Sequence, residues 1–297
     1  MMKKSYLLLT AMLLLVATGA RAQGFEIGVK GGLTIPNLTA GGNDTPLSEG
    51  FSSRLAWGAG VFGEYKFNNR FSLEVGLEYS GQGGQKDGMQ ALPAGPIQVN
   101  FTQQLIGYGV PAQQAGALAG FLPNDYMYAN FDSEVKFDYL MLPVMGKVGW
   151  NFTRTSPFRV YVSAGLFASY LMNAERVSKS ANGMFADKAG TALAQYVASN
   201  PGFSALDPAT QGLLQQAVGG MGAAEIPGFT QDITDEIYRF NFGVIAHVGI
   251  SYQMCPRHKL FIEGGGNYGF KKIQKDGANG QNRIGAGTVM LGYSFAL

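Results

Sequence analysis

Cysteine and histidine are scarce in this chain of 297 residues, and their scarcity excludes several kinds of site. Cys255 is the single cysteine, so no disulfide can form within the chain. The two histidines show no metal-ligand spacing, and neither a phosphate loop nor a nucleotide motif occurs. We therefore expect no metal site and no cofactor.

Charge is also sparse. Charged residues make up 14% of the chain, and the formal net charge is +2. Lys3, Lys4 and Arg21 lie in the first 22 residues, which contain no acid, so the remaining chain has a formal charge of −1. This near-neutral composition indicates no nucleic-acid partner.

Long apolar runs are missing after residue 22, where none approaches the ~18 residues of a transmembrane helix. Residues 1–22 themselves resemble a secretory signal peptide. Two lysines precede an apolar stretch, residues 6–17, that is too short to cross a bilayer comfortably as a helix. Ala20-Arg21-Ala22 fits a cleavage site, so we expect a mature chain that begins at Gln23. An uncleaved anchor is the alternative.

Eight stretches alternate apolar residues with small or polar ones, a pattern typical of strands with one apolar face. In residues 71–80, the odd positions are Phe, Leu, Val, Leu and Tyr, and the even positions are Ser, Glu or Gly. Each stretch reaches the roughly 9–11 residues of a tilted membrane strand, and barrels of this kind have an even strand number. The predicted strands are about 25–35, 55–67, 71–80, 136–150, 158–171, 238–252, 259–270 and 283–297.

The connections between these strands are alternately short and long. The sequence therefore predicts an all-β fold over residues 23–297: an eight-stranded antiparallel up-and-down transmembrane β-barrel. Its termini and short turns would lie in the periplasm, and two long extracellular loops, about 81–135 and 172–237, would contain short helices. The alternative is a soluble exported β-sandwich, but the predicted outer faces lack the charge that a sandwich presents to water.

Three local features refine this prediction. Pro143 lacks an N–H, so we expect a bulge or register shift in the fourth strand. Asp207-Pro208 predicts the start of a helix that ends near Gly219-Gly220, with further short helices at 188–198 and 111–119. The aromatic residues near strand ends predict interfacial girdles.

Ionisable residues fall mainly on the predicted inner face. The expected polar cluster of the lumen comprises Lys30, Glu64, Glu74, Glu78, Lys147, Arg159 and Glu263, with Glu26 and Lys66 on the same face. Mixed charges in a narrow barrel should pair, since isolated buried charges are costly. The cluster is either a gated ion path or a polar plug, and the narrow interior of eight strands favours the plug.

His247 and Ser251 share the predicted inner face, as a serine hydrolase would require. The sequence does not place an acidic residue beside this histidine. We therefore expect that His247 has a structural role and that the protein is not an enzyme. His258 and Cys255 in a predicted turn are too few ligands for a metal site.

Three short motifs resemble the PorT-like outer-membrane β-barrel family. Gly28-Val-Lys-Gly-Gly-Leu33, followed by Asn37-Leu38, is similar to its first strand. Tyr139-Leu-Met-Leu-Pro143 resembles its Tyr-Leu-x-Ile/Leu-Pro motif. Gly292-Tyr-Ser-Phe295 resembles its terminal strand, although Ala296 and Leu297 follow the last aromatic residue. The resemblance implies a barrel related in plan to small OmpA- and OmpX-like proteins, and some members of the family are associated with protein secretion.

We therefore expect a non-enzymatic integral outer-membrane protein of a Gram-negative-type bacterium, with external loops for binding or assembly. An accessory role in outer-membrane protein secretion and a narrow porin-like channel are the alternatives. The expected partners are outer-membrane lipid and, through the long loops, other proteins.

Overall fold

The computed structural model describes residues 24–40, 46–47, 49–153, 155–276 and 281–297. The predicted signal peptide and its cleavage site after Ala22 lie outside the described residues. Eight long strands dominate the fold. They are β1 (Phe25–Ala40), β2 (Ala56–Lys66), β3 (Phe71–Lys86), β4 (Ser133–Asn151), β5 (Phe158–Ser178), β6 (Phe240–Cys255), β7 (His258–Gly269) and β8 (Asn282–Ala296).

These strands form a closed barrel. Each strand pairs antiparallel with the next along the chain, from β1–β2 through β7–β8. The first and last strands also pair, with Val29 opposite Tyr293 and Thr34 opposite Thr288, and this ladder closes the sheet. The predicted eight-stranded up-and-down barrel is confirmed.

The two ends of the barrel differ. The turns β2–β3, β4–β5 and β6–β7 lie at one end of the barrel, together with the start of β1 and the end of β8. We call this the turn end. The longer connections emerge at the opposite end, which we call the loop end. Strands β3 and β5 continue to Lys86 and Ser178, so the predicted loop starts at 81 and 172 are wrong. The prediction ended each strand where the alternation of apolar and polar residues ends. The backbone hydrogen bonds between the strands continue beyond that point.

A broad apolar band covers the outside of the barrel. Leu166 and Leu291, for example, are 63% and 64% exposed, as lipid-facing side chains should be. Towards the loop end the outward positions become charged, with Glu134, Lys136 and Asp138 on β4, and these positions mark the edge of the band. Exposed aromatic residues flank it at the turn end (Tyr65, Phe67, Phe71, Trp150, Phe158 and Tyr252) and at the loop end (Trp57, Tyr170, Phe240, Phe242 and Phe270).

Pro143 does not produce the expected bulge. The β3–β4 ladder keeps one register on both sides of it and loses pairing only locally. The register shift lies at Asp138/Tyr139, in the pairing of β4 with β5. The expectation was wrong because the facing residue is Gly76, where an ideal Cβ would lie 3.2 Å from Pro143 Cγ. The glycine leaves room for the ring, so the strand does not need to bend away.

The two long connections, 87–132 and 179–239, fold together into what we call the loop cap. It contains α1 (Ala94–Gly107), α2 (Ala112–Ala119), α3 (Leu193–Ala198) and α4 (Pro208–Ala223). Within the described ranges, no helix has the length and apolar content needed to cross a membrane. The loop cap has its own core: Ala94, Phe101, Leu105, Ala115, Leu118, Ala119, Leu122, Met127, Ala186, Leu193, Val197, Phe203, Leu214, Ala217 and Val218.

The start of α4 was predicted correctly. The Asp207 carboxylate accepts hydrogen bonds from the backbone N–H groups of Ala209 and Thr210, each at 3.1 Å. The helix then runs through Gly219-Gly220 to Ala223, because Leu214, Ala217 and Val218 bury one face in the loop-cap core. Helix α1 was not predicted, since it has neither an acidic first turn nor a side-chain N-cap.

Candidate functional site in the lumen and beneath the loop cap

Lys30 lies at the centre of a buried ionic network in the lumen. Its Nζ is 3.2 Å from Glu74 Oε1 and 3.2 Å from Glu263 Oε1. Glu78 Oε1 is 2.8 Å away, in a charge contact whose angle is not that of a hydrogen bond. These four residues come from β1, β3 and β7, so the network connects opposite sides of the barrel.

Lys147 extends this network towards the turn end. Its Nζ donates to Glu64 Oε2 at 3.0 Å and also contacts Glu74, which therefore bridges the two lysines. Ser72 donates to Glu64 at 2.7 Å, and Tyr161 donates its hydroxyl to Glu263 at 2.9 Å. Six of the seven residues of the predicted lumen cluster are thus joined by contacts.

Arg159 is the exception. No carboxylate in the described part of the chain forms an ion pair with it, and its Nη2 lies 3.4 Å from the Arg70 carbonyl near the turn end. A separate group lies at this end, where Glu26 contacts both Lys66 and Lys259 and accepts from Ser294 at 3.2 Å. Lys259 was missed, although its inward position follows from alternation with Phe261 and Glu263.

Large rings and glycines fill the lumen around these charges. Phe62, Tyr161 and Phe261 form a buried cluster, and each ring has a glycine as its cross-strand partner. The pairs are Phe62 with Gly28, Tyr161 with Gly249, and Phe261 with Gly292. A cavity of about 10 Å³ lies between these rings and the side chains of Glu64, Lys147 and Lys259, near the lower limit for one water molecule.

Apolar side chains form a core in the lumen nearer the loop end. Tyr139, Met141 and Met145 of β4 pack there with Phe167 of β5 and Ile245 of β6. The sequence predicted a polar cluster in the lumen, and it did not predict this apolar core. Polar side chains lie beside this core, where Gln82 Nε2 donates to Ser80 Oγ at 2.8 Å and to Asn267 Oδ1 at 3.3 Å.

His247 is buried beside Glu263, with 3.7 Å between Nδ1 and Oε1. This distance is too long for a hydrogen bond, and Nδ1 has no partner among the residues that the structure describes. Ser251 Oγ donates to the Arg159 carbonyl oxygen at 3.4 Å and not to His247. The described ranges contain no group of three or more His, Cys, Asp or Glu side chains placed to hold a metal ion.

A cavity of about 610 Å³ lies beneath the loop cap and separates the cap from the loop end of the barrel. Strands β1, β3, β4 and β5 supply its floor and one wall, and the strand Met89–Pro93 and residues 226–237 supply the others. Sequence reasoning did not find this cavity, because its lining comes from segments that are distant in the chain.

Four ionisable groups line the cavity: Lys86, Arg176, Lys179 and Glu236. Lys179 is exposed and pairs with Asp132 at 2.9 Å. Lys86 Nζ donates to the Leu47 carbonyl at 2.7 Å and lies 4.3 Å from the centre of the Phe51 ring.

Lys86 and Arg176 lie beyond the apolar band, so they are outside the membrane-spanning part of the barrel. Burial, together with the nearby Arg176 guanidinium, lowers the pKa of Lys86 to about 8. Burial also lowers the pKa of Arg176. Glu49 acts in the opposite sense on Lys86, and Glu236 does so on Arg176, but burial outweighs both carboxylates.

A closed barrel with an apolar outer band and aromatic girdles defines an integral β-barrel membrane protein. The family described as outer membrane protein beta-barrel domain matches residues 20–275, and the chain belongs to this family. The lipid around the apolar band is therefore that of an outer membrane. The finer assignment to the PorT-like group stays a prediction.

Several solved outer-membrane barrels are similar to the chain. Neisserial surface protein A is 10% identical, with 93% of this chain and 98% of that one covered and a TM-score of 0.36. Ail, the attachment invasion locus protein of Yersinia pestis, is 10% identical, with 93% and 100% covered and a TM-score of 0.31. OprG from Pseudomonas aeruginosa is 8% identical, with 92% and 96% covered and a TM-score of 0.33. No curated protein matches the chain.

Proposed function

We propose that this protein is a non-enzymatic outer-membrane receptor whose loop cap is extracellular and binds a ligand, while its closed barrel serves as the anchor. The observation that carries the proposal is the distribution of empty space. A cavity of about 610 Å³ lies beneath the loop cap, whereas the lumen cavity beside Glu64, Lys147 and Lys259 is about 10 Å³. A cavity of the former size falls in the range of small-molecule sites, roughly 300–1,000 Å³.

The lumen cluster acts as a structural plug in this proposal. Each of its four glutamates contacts a lysine, and the rings of Phe62, Tyr161 and Phe261 pack among them. A conducting path would need continuous water along these charges, for which the packed lumen has no room. A narrow porin-like channel is therefore the weaker interpretation.

Planar-bilayer recording tests the plug. The purified protein and the charge-reversed variants Lys147→Glu and Glu74→Lys should all insert without discrete conductance steps, because the rings and the apolar core still obstruct the lumen. Unitary conductance in the wild-type protein that changes ion selectivity in these variants would replace the anchor interpretation with a channel.

Cysteine labelling in intact cells tests which end is outside. Tyr108 follows α1 in the loop cap and is 62% exposed, whereas Cys255 is exposed at the turn end. In a Cys255→Ser background, Tyr108→Cys should react with a membrane-impermeant maleimide in intact cells. The native Cys255 should react only after lysis, and the reverse pattern would rule out an extracellular loop cap.

We also propose that residues 1–22 are a signal peptide, which is consistent with membership of an outer-membrane family. The mature protein from the membrane fraction should begin at Gln23 in N-terminal sequencing. A mature chain that retains Met1 would show that the segment is an anchor. An accessory role in secretion rests on the motif resemblance alone.

A further inference from the structure

The cavity beneath the loop cap has one polar wall, formed where three strands extend beyond the apolar band. Lys86 of β3 is opposite Ser133 of β4, which is opposite Ser178 of β5. Arg176 lies two residues before Ser178 and lines the same cavity. The strand register thus places two cations and two hydroxyl groups on a single wall.

The other walls are apolar. They are formed mainly by Leu38, Leu92, Phe131, Phe137, Ile226 and Ile233. A ligand that fills this space must therefore present hydrocarbon to most of the cavity and polar atoms to one side of it.

The polar wall has unused binding capacity. Neither Lys86 nor Arg176 has an ion-pair partner within 4.0 Å among the described residues, and Arg176 forms no side-chain hydrogen bond there. The Ser178 Oγ is buried, with 4% of the residue exposed, and has no hydrogen-bond partner among them. Glu236, the carboxylate that lines the cavity, accepts a hydrogen bond from Gln231 at 3.4 Å.

These features are electrostatically unfavourable in the empty protein. Two cations that repel each other are held partly out of water, and a buried hydroxyl lacks a partner. An anionic group on this wall would relieve the repulsion and satisfy all three side chains. A cation or a neutral head group would do neither.

We propose that the cavity binds an amphipathic anion, namely a single hydrocarbon chain that ends in a carboxylate. The carboxylate lies between Lys86 and Arg176 and accepts from Ser178 Oγ, and the chain lies against the apolar walls. This inference rests on the proposed binding role of the loop cap and names the ligand class for it.

Dodecanoate is a suitable probe, and titration calorimetry on the barrel in lipid nanodiscs is the measurement. Protein-free nanodiscs correct for partition into lipid. Dodecanol and dodecyltrimethylammonium have the same chain with a neutral or positive head. Dodecanoate should bind saturably at one site per barrel, and the other two compounds at least tenfold more weakly.

Variants locate the site. Lys86→Met and Arg176→Met should each weaken dodecanoate binding by about tenfold to a hundredfold, the range for a hydrogen bond to a charged group. Lys136→Met is the matched control, since Lys136 faces outward at a similar height on β4 and should leave binding unchanged. Ala91→Trp fills the cavity without altering its charge and should also abolish binding.

Heat-modifiable gel mobility confirms that each variant is a folded barrel. Equal binding of dodecanol and dodecanoate would overturn the proposal, as would unchanged binding in both charge variants. If dodecanoate fails to bind while Tyr108→Cys is labelled on intact cells, the ligand class is wrong and the extracellular loop cap stands. If Tyr108→Cys is not labelled, the proposed function itself fails.

Discussion

The ring of Phe62 lies directly over Gly28, its cross-strand partner in the β1–β2 ladder. An ideal Cβ on Gly28 would lie 2.3 Å from Phe62 Cζ and 2.7 Å from the Tyr293 carbonyl oxygen. Gly292 has the same relationship to Phe261, where the corresponding distance is 2.1 Å. The glycines therefore make the space in which the lumen rings lie, and the rings in turn obstruct the lumen.

Gly28→Ala should destabilise the barrel because the added methyl group overlaps the Phe62 ring. Overpacking of this kind costs typically about 1–3 kcal/mol. Urea unfolding in detergent, followed by heat-modifiable gel mobility, measures the change. Gly31→Ala is the control, since the nearest atom to a Cβ there is 3.6 Å away. Equal midpoints for the two variants would show that the ring relaxes without cost.

Lys30→Met should destabilise the protein more strongly. It leaves Glu74, Glu78 and Glu263 close together without the lysine that all three contact. Removing one partner of a buried ion pair typically costs about 3–5 kcal/mol. Urea unfolding again provides the measurement.

Lys136→Met is the control for Lys30→Met. Its partner Glu134 is partly exposed, and an exposed pair contributes only about 0–1 kcal/mol. A Lys30→Met midpoint close to that of Lys136→Met would mean that the lumen glutamates are neutralised in another way.

Dodecanoate binding should weaken as the pH rises through the titration of Lys86. The pKa of this lysine is about 8 in the unliganded protein, so it is mostly protonated at pH 7 and mostly neutral at pH 9. The ligand carboxylate stays ionised over this range. The dissociation constant should therefore be about tenfold larger at pH 9 than at pH 7.

The groups that face Lys86 set the control for this pH dependence. Arg176 stays charged over the same range, and Glu49 and Lys188 act on Lys86 from the neighbouring loops. Lys86→Met should bind weakly with little change between the two pH values. A steep pH dependence that persists in Lys86→Met would assign the titration to another group.

Asp207→Ala should loosen the start of α4 without affecting the barrel. The Asp207 carboxylate bonds the N–H groups of Ala209 and Thr210, and these bonds hold the pKa of Asp207 below its usual value. Amide hydrogen exchange at residues 209–212 should become faster, with exchange in β1–β8 unchanged. Asp207→Asn, which preserves an acceptor, should exchange close to the wild-type rate.

Several features of the fold were predictable because they are local. The alternation of apolar and polar residues along each strand depends only on which side chains face lipid. This pattern was therefore enough to predict all eight strands and the inward positions of Lys30 and Lys147. The strand ends were less predictable, as at Lys86, because the pattern ends with the apolar band while backbone pairing continues. The bulge was misplaced because the effect of Pro143 depends on Gly76 of the neighbouring strand.

The candidate site also has a part that could be predicted from local sequence patterns and a part that could not. Six members of the lumen cluster were identified from alternation and charge, since a narrow barrel brings inward charges together wherever they lie in the sequence. Arg159 was included on the same grounds, yet its position near the turn end directs it to the Arg70 carbonyl. The cavity beneath the loop cap was not foreseen, because Lys86, Arg176 and Ile226 become neighbours only through the packing of the cap.

The sequence by itself determined the barrel, its strand number and the side of each strand that faces lipid. These properties follow from the two-residue alternation of side chains along each strand and from the lipid around the barrel. They require no knowledge of contacts between distant residues. Only the tertiary structure decided which rings fill the lumen and that a cavity lies beneath the loop cap. Both depend on how rings, glycines and cap helices pack across strands, and packing of that kind leaves no periodic signal in the chain.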